Sequence, residues 1–432
     1  MAKMEWTTLS FKEKLQLIGT CLFVITLPFS REINQLSMGF FVFTCIMAVN
    51  RESWRRNVKT IIVFTSVYVI SMFSCLYDPD INLALEKLGV QSTLFLVPLF
   101  FGASYRSTPF KNNVIKIAFI TGICSALLYL IVYFVSHMRE LHIPRSEWLQ
   151  EQYLNHRYSA PIDIHAGYFS CYVSLCLFFL IAFIIPARTK LLRFFILLLM
   201  GLCFLSLFLL TSRSILLLTF LCLICFMPFS FRQWKWHYSL LSGIAIAIPI
   251  FFFVRHSEYF HQRFTGELEK DVKISEIAKA AEDGHSPAKS TILKNDGARI
   301  ERWVAAIQII KKKPLLGYGT GEEKPELFKK YKEMGLTVTL EQGYDSHNQF
   351  ISFAIKSGLL GLFVFIWMLV YAFVHAFKKR DYIYISFLIL VTGTCLIDTF
   401  LEANKGIFFY SFFNIFLFLS MDQRPTSPLS IS

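Results

Sequence analysis

The sequence predicts an all-α polytopic membrane protein with about 12 transmembrane helices and one long polar loop. Three observations predict it. Of 432 residues, 55% are hydrophobic and 46 are Phe, a balance rare in water-soluble chains. Apolar runs of about 20 residues, the length that crosses ~30 Å of hydrocarbon, recur along the chain. The polar residues gather in one stretch, 255–346, and the residue alternation of a membrane β-barrel is absent.

The expected spans are about 13–30, 33–49, 59–77, 87–105, 114–136, 162–186, 191–210, 213–229, 238–254, 347–374, 382–400 and 404–421. The first apolar run lacks a small-x-small cleavage site, so it is read as a retained span. Thr211-Ser212-Arg213-Ser214 leaves almost no loop between the seventh and eighth, which implies a tight hairpin with Arg213 at its tip. Three parts follow: a bundle of about nine spans over 1–254, a loop domain over 255–346, and a bundle of about three spans over 347–432.

Basic residues orient the bundle. Arg51, Arg55, Arg56 and Lys59 follow the second span, Arg106 and Lys111 the fourth, and Arg188, Lys190 and Arg193 the sixth. Arg232 and Lys235 follow the eighth, and Lys378, Lys379 and Arg380 the tenth. All fall on one side if both termini are cytoplasmic. Arg213 and the loops 137–161 and 255–346 then lie outside. This bias, with attraction to anionic lipid head groups, accounts for the net charge of +13 without nucleic acid. All ten cysteines fall in apolar runs, so no disulfide framework is implied, and Cys222-x-x-Cys225 reads as packing.

The stretch from Ala298 to Phe350 carries the chemistry. Ile300, Trp303, Val304, Ile307 and Ile310 recur at helical spacing, predicting an amphipathic helix over 298–312 that ends at Lys313-Pro314. A second short helix is expected over 322–334. Arg299 opens the first helix, with Arg302 and Trp303 almost a turn on. A solvated face is one reading of them; a phosphate clamp with Trp303 as a packing or sugar platform is the other. Pro314-Leu315-Leu316-Gly317-Tyr318-Gly319-Thr320-Gly321 lacks the Lys-Ser/Thr of a nucleotide loop and reads as a turn bringing backbone close to a helix or a ligand.

His347 is the sharpest candidate. Ser346-x-x-Gln349 reads as a capping box, with Ser346 the N-cap and His347 the first helical residue. The positive helix end then disfavours an imidazolium and leaves a neutral ring able to accept a hydroxyl proton. Asp345, Glu341 or Glu402 could orient it. Arg213 is either an interfacial anchor or a planar fork of donors for phosphate. His165, at the start of the sixth span, either lines the site or packs the helix start. Asp163, His165 and Asp78 or Asp80 fit no metal pattern, and no metal or other cofactor is expected.

Taken in order, these segments resemble the O-antigen ligase and Wzy-type polymerase superfamily. The likeness runs over roughly 60–420. It rests on Glu86-Lys87 with Leu96-Val97-Pro98-Leu99-Phe100, then His165-Ala166-Gly167-Tyr168, then Thr211-Ser212-Arg213-Ser214. It continues through Arg299-x-x-x-Trp303, the glycine-rich turn, Ser346-His347-Asn348-Gln349, and Glu402 with Gly406. The insert at about 265–297 departs from the pattern.

The resemblance implies a GT-C-like fold in the inner membrane of a diderm bacterium, with the site on the periplasmic face. It implies metal-independent, inverting glycosyl transfer from a glycan on undecaprenyl diphosphate. Arg213 and Arg299 then match diphosphate-binding arginines and His347 the base; His165, Tyr168, Arg302, Trp303 and Glu402 are candidates to line the site. The expected activity is ligation of a polysaccharide to lipid A–core. A Wzy-like polymerase and a protein O-oligosaccharyltransferase share the donor end. A polysaccharide transporter is the reading from another class, disfavoured because the polar residues crowd at one membrane face.

Overall fold

A computed structural model describes residues 6–184, 186–225 and 299–421, which form helices and connecting turns with no strand among them. In chain order the helices are α1 (Phe11–Thr26), α2 (Arg31–Ala48), α3 (Arg51–Cys75), α4 (Ile81–Gln91), α5 (Thr93–Ser104) and α6 (Pro109–Glu140). After short helical turns over 145–162 come α7 (Ala166–Ile184), α8 (Lys190–Leu210) and α9 (Arg213–Cys225). Then follow α10 (Arg299–Lys312), α11 (Glu323–Met334), α12 (Thr337–Glu341), α13 (Gln349–Lys378), α14 (Tyr382–Ile397) and α15 (Asn404–Ser420).

Among the described residues, six helical stretches are long and apolar enough to cross a membrane: α3, α4 with α5, α6, α7, α8 and α13. α9 and α14 are shorter apolar helices. Helices also occupy the first, second and twelfth expected spans, whereas the ninth, 238–254, lies outside the described residues. The chain is a multi-pass membrane protein.

Sequence punctuation sets the helix ends. Ser10 and Glu13 form a reciprocal capping box at α1, the Asn50 side chain accepts from the Ser53 amide at α3, and Thr108 caps α6 ahead of Pro109. One continuous hydrophobic core joins the helices before and after the polar segment. α15 lies at its centre and is buried almost all round, as a helix apolar on every face must be. Phe412 on α15 meets Phe23, Phe41 and Phe101 at ring distances of 5.7, 5.7 and 5.5 Å, mostly edge-on or tilted. Where α1 and α6 cross, a Cβ on Gly122 would fall 2.4 Å from the Ile25 carbonyl oxygen, so only glycine permits that approach.

The tenth expected span is interrupted. Within α13, Gly358 has φ 65° and ψ −165°, which splits it into a short first part and a longer second part. The glycine-rich turn enters the gap. Amides of Tyr318 and Gly319 donate to the carbonyls of Ile355 and Lys356, both at 2.9 Å, and the Leu359 amide donates to the Pro314 carbonyl at 2.7 Å. Backbone groups released by the break are therefore satisfied, as they must be inside a membrane protein. A Cβ on Gly358 would sit 2.2 Å from the Leu315 oxygen, and one on Gly317 2.4 Å from the Ile355 oxygen. The turn brings backbone to a helix, the structural role its composition suggested.

The polar segment has its own small core of Ala305, Ala306, Ile309, Tyr318, Leu327, Tyr331 and Leu336, closed by Ile355 of α13. Both expected helices are present, as α10 and α11. The buried face of α10 differs from the expected one: Glu301, Arg302, Ala305, Ala306 and Ile309 are buried, whereas Val304 and Ile307 are exposed. The small alanines let α10 pack closely on α11 and α13. That leaves Val304 and Ile307 outward, and Leu315 and Leu316 in the turn that follows are exposed too, apolar side chains suited to the bilayer interface.

Candidate active site around His347

His347 precedes α13 rather than opening it. Asn348 is the N-cap, its side-chain oxygen accepting from the Phe350 and Ile351 amides at 3.0 and 3.2 Å. The capping box expected at Ser346 is therefore absent, because the Ser346 hydroxyl donates to Glu323 at 2.7 Å instead. His347 takes a left-handed backbone conformation, φ 42°, uncommon for a residue with a side chain and often found where function fixes the geometry. It stands one residue before the N-cap, not in the first turn of the helix.

Two carboxylates take over. Nδ1 of His347 lies 3.2 Å from Asp345 Oδ1 and 3.4 Å from Asp398 Oδ1, while its side chain stays about one-third exposed. Asp345 also accepts from the His347 amide at 2.9 Å and from the Thr399 hydroxyl at 2.9 Å. Burial raises the Asp398 pKa, but the hydrogen bond from His347 and the nearby His165 and His347 rings outweigh it, so the net value is lowered. A carboxylate facing Nδ1 fixes the tautomer and leaves Nε2 to accept a proton. Glu341 and Glu402 do not take this role.

The loop carrying His347 is held from behind. Trp303 of α10 donates its indole N–H to the Ser346 carbonyl at 3.0 Å. Glu323 of α11 accepts from Ser346 and Ser352, and burial raises its pKa although Lys356 opposes the shift. Arg302 is buried rather than solvated, stacks on Tyr344 at 4.8 Å, and Tyr344 meets the His347 ring at 5.5 Å. Its Nε and Nη1 are buried without a hydrogen-bond partner among the described residues, and burial lowers its pKa. Arg299 sits exposed at the start of the same helix, close enough for its charge to act on Arg302.

His165 reaches the cluster from the other side. It lines a cavity of about 360 Å³ with Tyr168 and Glu402, meets the His156 ring at 4.1 Å in a tilted arrangement, and contacts Tyr168 at 5.0 Å. Enclosure by protein, with His156 beside it, lowers its pKa to about 4, against the opposing pull of Asp398. The hairpin bearing Arg213 is adjacent: a Cβ on Gly167 would lie 3.3 Å from His165 Nδ1 and 3.8 Å from Ser212 Oγ. Arg213 is half-buried at the first position of α9.

Glu402 lies deeper. It pairs with Lys356 of the interrupted helix and accepts from Gln91 at 3.1 Å and Gln349 at 3.0 Å. Asp78 and Asp80 serve the turns: Asp78 accepts from the Gly321 amide at 2.7 Å, and Asp80 caps α4. Among the described residues, Cys124, Cys176 and Cys203 bring their sulfurs within 4.8 Å of one another, a group of metal-ligating type that includes no residue of this site. Sequence reasoning missed Asp398 and Lys356.

Residues 196–366 match the family Wzy_C, described as O-antigen ligase. This segment belongs to the O-antigen ligase family. The match to that family spans α8, α9, α10 and the loop of His347, and ends inside the second half of α13. A comparison with curated proteins gives no significant match. The family is one of glycosyltransferase-like enzymes with glycan and lipid substrates.

Proposed function

We propose that the protein is an O-antigen ligase, transferring a polysaccharide from undecaprenyl diphosphate to lipid A–core, with both termini cytoplasmic and the site on the periplasmic face. The observation that carries this reading is Nδ1 of His347 between Asp345 and Asp398, with His347 and Asp345 inside the family-matched segment and Asp398 beyond its end. In the proposed step the acceptor hydroxyl attacks the anomeric carbon as Nε2 of His347 takes its proton. The bond from that carbon to the diphosphate oxygen breaks, and the oxygen leaves with the electron pair. Attack from the opposite face inverts the anomeric configuration. Arg213 and Arg299 stabilise the negative charge that grows on the leaving diphosphate, and the transfer proceeds without a metal ion.

Two features support the substrate class. His165, Asp345, His347 and Asp398 gather in one cluster at the edge of an apolar bundle, where a polar glycan would meet its lipid anchor. Asp345 and Asp398 stabilise the imidazolium formed by proton transfer. Deleting the gene tests the activity: bare core with accumulated lipid-linked polymer is expected, whereas core carrying a single repeat unit would assign a polymerase instead. Restoring the gene with His347→Ala should leave the protein in the membrane and the core bare; capped core would remove His347 as the base.

A further inference from the structure

The cavity lined by His165, Tyr168 and Glu402 has a cationic rim that the proposed mechanism does not use. Arg31 and Lys405 line it together with Asp163 and Asn404. Lys405 is buried, and its ammonium donates to the carbonyls of Leu27, at 3.1 Å, and Phe29. With the Asn404 amide oxygen turned towards it, Arg31 places Nε and Nη2 at 3.1 and 3.2 Å from that oxygen. Of the two acidic groups, Glu402 is neutralised by Lys356 and Asp163 faces Lys405. The two fixed cations thus stand at the end of the bundle where α2 and α15 begin.

From this rim a groove of about 540 Å³ runs along α2, α4, α5 and α15. Arg31, Val90 and Asn404 line both spaces, and Met38, Val42, Leu96 and Phe408 line the groove. Two glycines form its walls, Gly39 on α2 and Gly89 on α4. A Cβ added at either meets nothing within 4 Å, so the space there is open rather than filled by a neighbouring helix. Gln35, Glu86, Ser92 and Thr93 add polar groups to the groove, and its apolar stretch, leading to an arginine and a lysine beside His165 and Tyr168, matches an amphiphile with a phosphorylated head and hydrocarbon chains.

Given the reading that Arg213 and Arg299 hold the donor diphosphate, two lipid-borne substrates need separate places. Neither arginine lines this cavity or its groove. We propose that the cavity and groove seat the acceptor, a phosphate-bearing lipid, with its head at Arg31 and Lys405 and a chain along Gly39 and Gly89. The head then lies next to His165 and Tyr168, on the flank of the cluster that contains His347.

Photolabelling in nanodiscs tests this, with lipid A–core bearing a diazirine on an acyl chain and, separately, a diazirine-bearing undecaprenyl diphosphate glycan. In the wild type the acceptor probe should label α2 and α5. A Cβ at either glycine meets nothing within 4 Å, so Gly39→Leu combined with Gly89→Leu puts side chains into the groove and should lower that labelling at least tenfold, with donor labelling unchanged. Arg31→Gln should weaken acceptor labelling and raise the KM for acceptor several-fold. Acceptor labelling elsewhere, acceptor labelling that survives the filled groove, or loss of donor labelling alone would overturn the assignment. Labelling is read without turnover, so absence of transfer by the wild type would sink the proposed function while leaving this result to stand or fall separately.

Discussion

Asp398 lies 3.4 Å from Nδ1 of His347, and the two come from opposite sides of α14 in the chain: His347 precedes α13 and Asp398 ends α14. The Asn348 side-chain amide donates to the Leu396 carbonyl at 3.0 Å and ties those two chain ends together. The ring is thus oriented by a carboxylate fixed to a different helix from the one it precedes.

Asp398→Asn should keep the shape and lose the charge behind the imidazole. The transfer rate is expected to fall on the order of 10²–10⁴-fold, as when the carboxylate of a His–Asp pair is neutralised, with the KM for donor little changed. Single-turnover transfer with lipid-linked donor measures it. A rate within twofold of wild type would show that Asp345 alone suffices.

Arg213→Lys keeps a positive charge and removes the planar fork. If the side chain grips two diphosphate oxygens, activity should drop at least tenfold. Equal activity for lysine and arginine would reduce Arg213 to an interfacial anchor. Transfer by the wild type is expected to persist in EDTA, and a strict divalent-ion requirement would contradict the metal-free step.

Lys356→Met leaves the partly buried Glu402 carboxylate with only the amide donors of Gln91 and Gln349. Destabilisation of about 3 kcal/mol is expected, read as a lower unfolding temperature in detergent. Adding Glu402→Gln should recover much of the loss, since the uncompensated charge is then gone. If the double variant is no better than the single one, packing rather than charge explains the site.

His165 gives a pH signature. Its folded pKa of about 4 lies below the ordinary 6.5, so the unfolded chain binds the extra proton first. The stability it supplies is complete above about pH 6.5 and is lost as pH falls towards 4. His165→Gln should flatten the fall in unfolding temperature between those values. An unchanged slope would place the acid sensitivity in another group.

Gly358→Ala forces a side chain into a left-handed conformation against the Leu315 carbonyl. A cost of about 3 kcal/mol or more is expected, seen as poor membrane yield or a much lower unfolding temperature. A well-folded alanine variant would mean that the two backbones can separate cheaply.

The helical architecture was readable because hydrophobic runs and caps are local signals. The amphipathic helix at Arg299 and the histidine before α13 were found on the same grounds. What escaped depends on contacts between distant residues. Nothing local marks Asp398 as the partner of His347, since an acidic residue ending an apolar run is common. The break at Gly358 was hidden because hydropathy counts side chains and not backbone bonds. The face of α10 was misassigned because apolar residues turned to lipid and to protein give the same periodicity. Ser346 fits the residue pattern of a cap, yet a buried glutamate from another helix competes for its hydroxyl.

Because the turn over 314–319 completes the hydrogen bonding of α13, the outer segment and that membrane helix must form as one unit. Chimeras that swap only the outer segment with a relative's would leave amides and carbonyls stranded in the bilayer. Exchange should succeed when the junction lies beyond Leu360, so that the donor sequence brings its own splice.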